Sequence, residues 1–190
     1  QHDPKLVGFG SVHPASRNKH QKIAHLQSLG AFGIKLHPFF MMMRPANQAY
    51  YPIYEACQEL HMPVLFHTGY GSLTPKSSRS LVSPGDFEKV AQLFPRLTII
   101  FGHAGGEGLY QEMADISTRP PNTYLQYDGL PAHLLKQMLR KVDTERVLYG
   151  SDWPTFPMPL QLVRTLIATE KNQELRNRIL FANAQRLLAR

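Results

Sequence analysis

Six times along the chain a short run of β-prone residues ends in His or Asp and then meets Gly or Pro within two residues. The runs are LVGFGSVHP (6–14), FGIKLHP (32–38), PVLFHTG (63–69), LTIIFGHAGG (97–106), TYLQYDG (123–129) and RVLYGSDWP (146–154). Their tips are His13, His37, His67, His103, Asp128 and Asp152, spaced 24 to 36 residues apart. A shape that recurs along a chain restricts the architecture more than any single motif does.

The segments between the runs carry apolar residues at helical spacing. They are Ile23, Leu26 and Leu29, closed by Gly30; Ala49, Ile53, Ala56 and Leu60; Phe87, Val90, Ala91 and Phe94; Leu134, Leu135, Met138 and Leu139; and Val163, Leu166 and Ile167. Ser83-Pro84, Pro131 and Pro159 supply helix-start signals, and the last 20 residues read as terminal helices. Strand and helix in alternation predict an α/β fold, with a parallel sheet inside and helices outside. In such sheets reactive groups gather beyond the carboxyl ends of the strands, where the six polar tips fall.

Size and composition agree with one domain spanning 1–190. The chain is 43% apolar and 18% charged, which argues against disorder. No apolar run reaches the roughly 18 residues of a membrane span, and no leader pattern is read, so a cytoplasmic location away from membranes is expected. Cys57 is the only cysteine and forms no internal disulfide. The net charge of +7 is scattered rather than gathered into a stripe with exposed aromatics, which argues against a nucleic-acid partner. A small-molecule substrate is the expected partner, with a homo-oligomer left open.

A tip histidine on a strand buried on both faces is costly unless it is hydrogen-bonded or holds a ligand. One such histidine alone would be read as a buried imidazole donating to a carbonyl. Four of the nine histidines at tips, joined by two aspartates, point instead to a rim of ligands. Histidine nitrogen and carboxylate oxygen are donors for zinc or a similar divalent ion, which activates water when a base takes the proton.

GIKLHP, the helix NQAYYPIYEACQEL leading into MPVLFHTG, FPRLTIIFGHAGG, RVLYGSDWP and FANAQRLL together resemble the amidohydrolase-related proteins. That branch includes aminocarboxymuconate-semialdehyde decarboxylase and many metal-dependent hydrolases. The resemblance implies a (β/α)8 TIM barrel of the metal-dependent hydrolase type, of which about six βα units, strands three to eight, are present. It implies that His67 is a metal ligand, that His103 lies beside the activated water as ligand or orienting group, and that Asp152 is ligand and general base. The family's His-x-His pair on strand one has no counterpart in this sequence. The chain is therefore expected to be the carboxyl-terminal part of a longer enzyme, with a metal-free remnant as the alternative. The expected cofactor is a divalent ion, zinc first.

Lys35 and His37, two apart on one strand, should face the same way, Lys35 towards an acidic neighbour or an anionic substrate group. Tyr70 and Arg79 follow the next strand, and the guanidinium suits a substrate carboxylate, though a solvated basic loop explains it too. Asp128 and His13 are weaker candidates, because Asp before Gly is also turn chemistry. PFFMMMRP (38–45) is read as an apolar loop that either walls a substrate pocket or packs against the helices, and His2, His20, His25, His61 and His133 as solvated. The expected activity is hydrolysis of an amide, ester or lactone bond in a small molecule. The alternatives are decarboxylation of a small carboxylate, with Glu107 as a nearby acidic group, and a non-catalytic remnant.

Overall fold

The six runs become six parallel strands in a computed structural model that describes residues 6–71 and 74–189. His2, one of the histidines expected to be solvated, lies outside the described residues. The strands are β1 (Gly8–Gly10), β2 (Ala31–Leu36), β3 (Val64–His67), β4 (Ile99–Gly102), β5 (Thr123–Tyr127) and β6 (Val147–Tyr149). They pair in chain order, every pair parallel. A sheet wound in one direction with helices on its outer side is an arc of a βα barrel. Among the described residues β1 and β6 each pair on one side only, so the arc is not closed.

Helices α1 (Lys19–Ser28), α2 (Pro38–Met41), α3 (Tyr51–Glu59), α4 (Pro84–Leu93), α5 (Gly106–Ser117), α6 (Ala132–Leu139), α7 (Met158–Thr169), α8 (Gln173–Asn177) and α9 (Asn183–Leu188) complete the chain. Gly30, at φ 88°, ends α1 as expected of a residue without a Cβ. Two elements differ from expectation. PFFMMMRP begins with the short helix α2, its first turn opened by Pro38, and α5 rises from a glycine-rich stretch that the helical spacing above does not include.

The alternation of side chains divides the core in two. Ile34, Leu36, Val64, Phe66, Ile99, Phe101, Leu125 and Val147 face the helices. Leu65, Ile100, Tyr124 and Leu148 face inward, packed with Phe9, Phe32 and Leu187. The outer layer is built around a chain of edge-to-face rings, with Tyr54 to Phe66 at 5.9 Å, Phe66 to Phe87 at 5.3 Å and Phe87 to Phe101 at 5.8 Å. Such pairs add about 0.5–1.5 kcal/mol each beyond their buried area.

Phe66 is fully buried at the centre of this chain. Phe66→Ala should lower stability by about 3–5 kcal/mol in urea denaturation, because it leaves a cavity between the Tyr54 and Phe87 rings. A loss below about 1 kcal/mol would show that the ring chain does not hold helix to sheet.

Candidate metal centre and active site

The register of the strands sets which side chains reach the carboxyl rim. Lys35 pairs with Leu65, and Leu65 with Ile100, both members of the inner cluster, so Lys35 also faces inward. His37 follows two residues on, past the end of β2, and His67 stands two residues after Leu65 at the end of β3. On β5, Gln126 and then Asp128 continue the inward face of Tyr124. The polar tips expected from the sequence thus converge on one mouth, with the exception of His13, which is exposed and accepts a hydrogen bond from the Ala15 N–H at 3.1 Å.

At that mouth His103, Asp128 and Asp152 offer ligand atoms that all lie within 4.8 Å of one another. One imidazole and two carboxylates are donors suited to a divalent ion. His103 Nδ1 is 2.7 Å from Asp128 Oδ1. Asp128 is buried, and its other oxygen accepts from Gln126 Nε2 at 2.8 Å. His103 and Asp152 both have left-handed backbone, at φ 66° and 53°. A non-glycine residue there costs on the order of 1–3 kcal/mol, and such strain clusters where a side chain must be aimed.

His103 is aimed by an interlock of two rim turns. Thr68 Oγ1 donates to the Gly102 carbonyl at 2.7 Å and accepts from the Gly105 N–H at 3.1 Å. A Cβ on Gly69 would fall 2.8 Å from the Gly106 nitrogen. The glycines of HTG and GHAGG therefore serve the close approach of the β3 and β4 turns, which brings the His67 and His103 rings to a 4.3 Å edge-to-face contact.

His67 stands beside the His103–Asp128–Asp152 group rather than among its members. Its ring stacks on His37 at 3.9 Å, and His37 in turn stacks on Phe40 at 4.0 Å. Burial is the main reason both imidazoles are hard to protonate. It holds His37 at about 4, helped by Lys35 and His103, and His67 at about 2, helped by His103, His37 and Lys35. Both rings are neutral at pH 7, the form in which imidazole binds metals.

Lys35 is brought down to about 8 by burial, against the pull of Asp128 and then Asp152. Asp128 and then Asp152 act on it through their charge, as countercharges to the ammonium. Burial, and after it the charge of Asp128, raises the Asp152 carboxyl above the usual range.

Over these groups opens a cleft of about 850 Å³, walled by Phe39, Phe40, Phe156 and Tyr70. Arg79 also lines it, with its guanidinium carbon 4.6 Å from the Tyr70 ring centre and its buried Nε without a hydrogen-bond partner among the described residues. Glu107, exposed at the start of α5, reaches the same cleft. His20, His25, His61 and His133 are exposed, as expected.

Sequence reasoning ranked Asp128 low and passed over Gln126. The signal that could have raised both is the two-residue period of Tyr124, Gln126 and Asp128, which places polar groups on an inward face. Asp-Gly as turn chemistry hid it.

A family model described as Amidohydrolase matches residues 1–190. No curated protein matches the sequence. An uncharacterized TIM-barrel protein of Bordetella bronchiseptica is 27% identical, at TM-score 0.82, over 97% of this chain and 67% of its own. A dihydroxybenzoic acid decarboxylase from Polaromonas, with bound manganese and the inhibitor 2-nitroresorcinol, is 19% identical at TM-score 0.70 over 96% and 69%. A putative 2-pyrone-4,6-dicarboxylic acid hydrolase from Pseudomonas putida is 18% identical at TM-score 0.65 over 95% and 71%. The chain spans about two thirds of the length of these structures.

Two titrations follow from the electrostatics. Burial opposes the Lys35 ammonium, so the folded chain is penalised at every pH below about 8, and the penalty fades towards 10.5, where both states are neutral. Lys35→Met should be more stable at pH 7 by on the order of 1–3 kcal/mol in urea, with the advantage shrinking as the pH passes 8. Equal stability at pH 7 would contradict this. For His37 the unfolded chain takes up a proton near 6.5 that the folded chain refuses until about 4, so stability falls across that window. His37→Phe should flatten the acid limb of a thermal-melting profile there, and an unchanged limb would place the acid sensitivity elsewhere.

Proposed function

The chain belongs to the amidohydrolase family, and from that premise we propose that it is a metal-dependent hydrolase of an amide, ester or lactone bond in a small, carboxylate-bearing molecule. The observation that supports this best is the meeting of His103, Asp128 and Asp152 within 4.8 Å at the floor of a cleft that also holds Arg79. These three would hold a divalent ion, zinc first, with manganese a second fit to the same donors. When bound, such an ion supplies Lewis-acid polarisation of the scissile carbonyl and makes water acidic enough to ionise near neutral pH.

The chain's own residues do the rest. Asp152, its carboxyl raised by burial, takes the proton of the attacking water and returns it to the leaving group. His103, its Nδ1 engaged by Asp128, would hold the ion through its other ring nitrogen. Arg79, backed by Tyr70 and with Nε unpaired among the described residues, receives the substrate carboxylate. Phe39, Phe40 and Phe156 keep bulk water from the reacting bond. Location in the cytoplasm, and assembly with further copies, remain part of this reading.

One observation favours a second reading, a lyase. A carboxyl with raised affinity for its proton can deliver that proton to a carbon as the bond to a carboxylate breaks and CO2 leaves. The manganese-bound decarboxylase among the structural neighbours performs chemistry of that class on the same fold.

The two readings separate in one assay. With Zn(II) or Mn(II) supplied, hydrolysis should appear as acid release from lactones or esters of aromatic carboxylates, and decarboxylation as CO2 release from hydroxybenzoates. Asp152→Asn should lower the hydrolytic rate by about 10²–10⁴-fold. Arg79→Ala should raise KM by about tenfold or more with kcat little changed, since it removes binding common to ground and transition states. CO2 without acid release from the esters would favour the lyase, and neither product with metal bound would overturn both readings.

A further inference from the structure

We propose that Gln126 is a positioning residue: its amide, seated in the space left by Gly150, locks Asp128 so that His103 keeps its proton on Nδ1 and its Nε2 lone pair free. The inference deepens the reading of His103 above and depends on that reading only for its consequence. The tautomer itself can be observed without substrate or metal.

Gln126 Nε2 donates to Asp128 Oδ2 at 2.8 Å and to the Tyr127 carbonyl at 3.0 Å, while its Oε1 accepts from the His103 N–H at 3.2 Å. Turning the amide over would set an oxygen against two acceptors and an NH2 against a donor, so only one orientation satisfies the site. In that orientation Gln126 grips both His103, through its backbone, and Asp128, through its side chain. Asp128 is left with Oδ1 directed at His103 Nδ1, 2.7 Å away. A carboxylate accepts hydrogen bonds, so the ring nitrogen facing it carries the proton, and the other nitrogen is the one left to accept a proton or a metal.

The neighbouring chain leaves room for this amide. A Cβ on Gly150 would stand 1.6 Å from Gln126 Nε2 and 2.6 Å from its Cδ. On the other flank Gly102 pairs with Gln126 across β4 and β5; there a Cβ would meet the Phe66 carbonyl at 2.6 Å but lie 3.4 Å from the amide Oε1, an ordinary contact, so Gly102 serves the approach of β3 rather than the amide. Any side chain at Gly150 would evict the amide.

The experiment is a two-bond proton–nitrogen correlation spectrum of the metal-free chain labelled in its histidines, with His103 assigned by loss of its signals in His103→Gln. The unmutated protein should show His103 as the Nδ1–H tautomer. Gln126→Met keeps the length of the side chain and removes its hydrogen bonds, and Gly150→Ala displaces the amide without altering Gln126. Each should mix in the Nε2–H form and weaken Zn(II) binding, measured by chelator competition, by about 10–100-fold. An Nε2–H His103 in the unmutated protein overturns the proposal, as does an unchanged ring spectrum in a folded Gln126→Met or Gly150→Ala. Should either variant fail to fold by circular dichroism, the unmutated spectrum and the other variant decide. A held tautomer in a protein that turns over nothing would sink the proposed activity and leave this inference standing.

Discussion

A carboxylate buried beside an imidazole, 2.7 Å apart across the ends of two strands, is the contact on which the rest of the rim depends. Asp128 is only 4% exposed and therefore needs partners; His103 and Gln126 provide them. His103 in turn reaches Asp128 only because its backbone turns through a left-handed conformation, and that turn holds because Thr68 and Gly69 clamp it from β3. Three adjacent strands are thus tied at their carboxyl ends by polar contacts, in the layer where an ordinary sheet would end in solvent.

The inner face is layered by polarity. Leu65, Ile100, Tyr124 and Leu148 make an apolar floor, and above it stand a buried ammonium, two stacked neutral imidazoles and two carboxylates. Several of these polar groups oppose folding, Lys35 through desolvation of its charge, His37 and His67 once acid protonates the unfolded chain, and His103 and Asp152 through backbone strain. The outer layer of rings around Phe66 and Phe87 offsets that cost. Stability is drawn from the side facing the helices, and chemistry is placed on the side facing the barrel axis.

Much of this was legible in the sequence, for a definable reason. A tip of His or Asp followed by Gly or Pro is rare enough that six in register announce both the strands and the rim. Helix α5 escaped because it opens with Gly106 and Gly108, poor helix formers, even though Leu109, Met113 and Ile116 keep helical spacing. Family likeness assigned His67 to a metal; in space its ring lies against those of His37 and His103, at the edge of the His103–Asp128–Asp152 group. Sequence could not show that grouping, because it depends on how far the β4 turn leans towards β5, which glycine packing sets. Gln126 left no motif at all; its role exists only in the space that Gly150 leaves empty.

On the proposed reading this rim holds a divalent ion between one imidazole and two carboxylates. Anomalous diffraction from crystals grown with Mn(II) or Zn(II) tests it most directly. The account predicts one strong peak within bonding distance of His103, Asp128 and Asp152, lost in Asp128→Asn together with Asp152→Asn. A fully occupied ion elsewhere on the chain, or none at the rim with the His103–Asp128 contact intact, would contradict it.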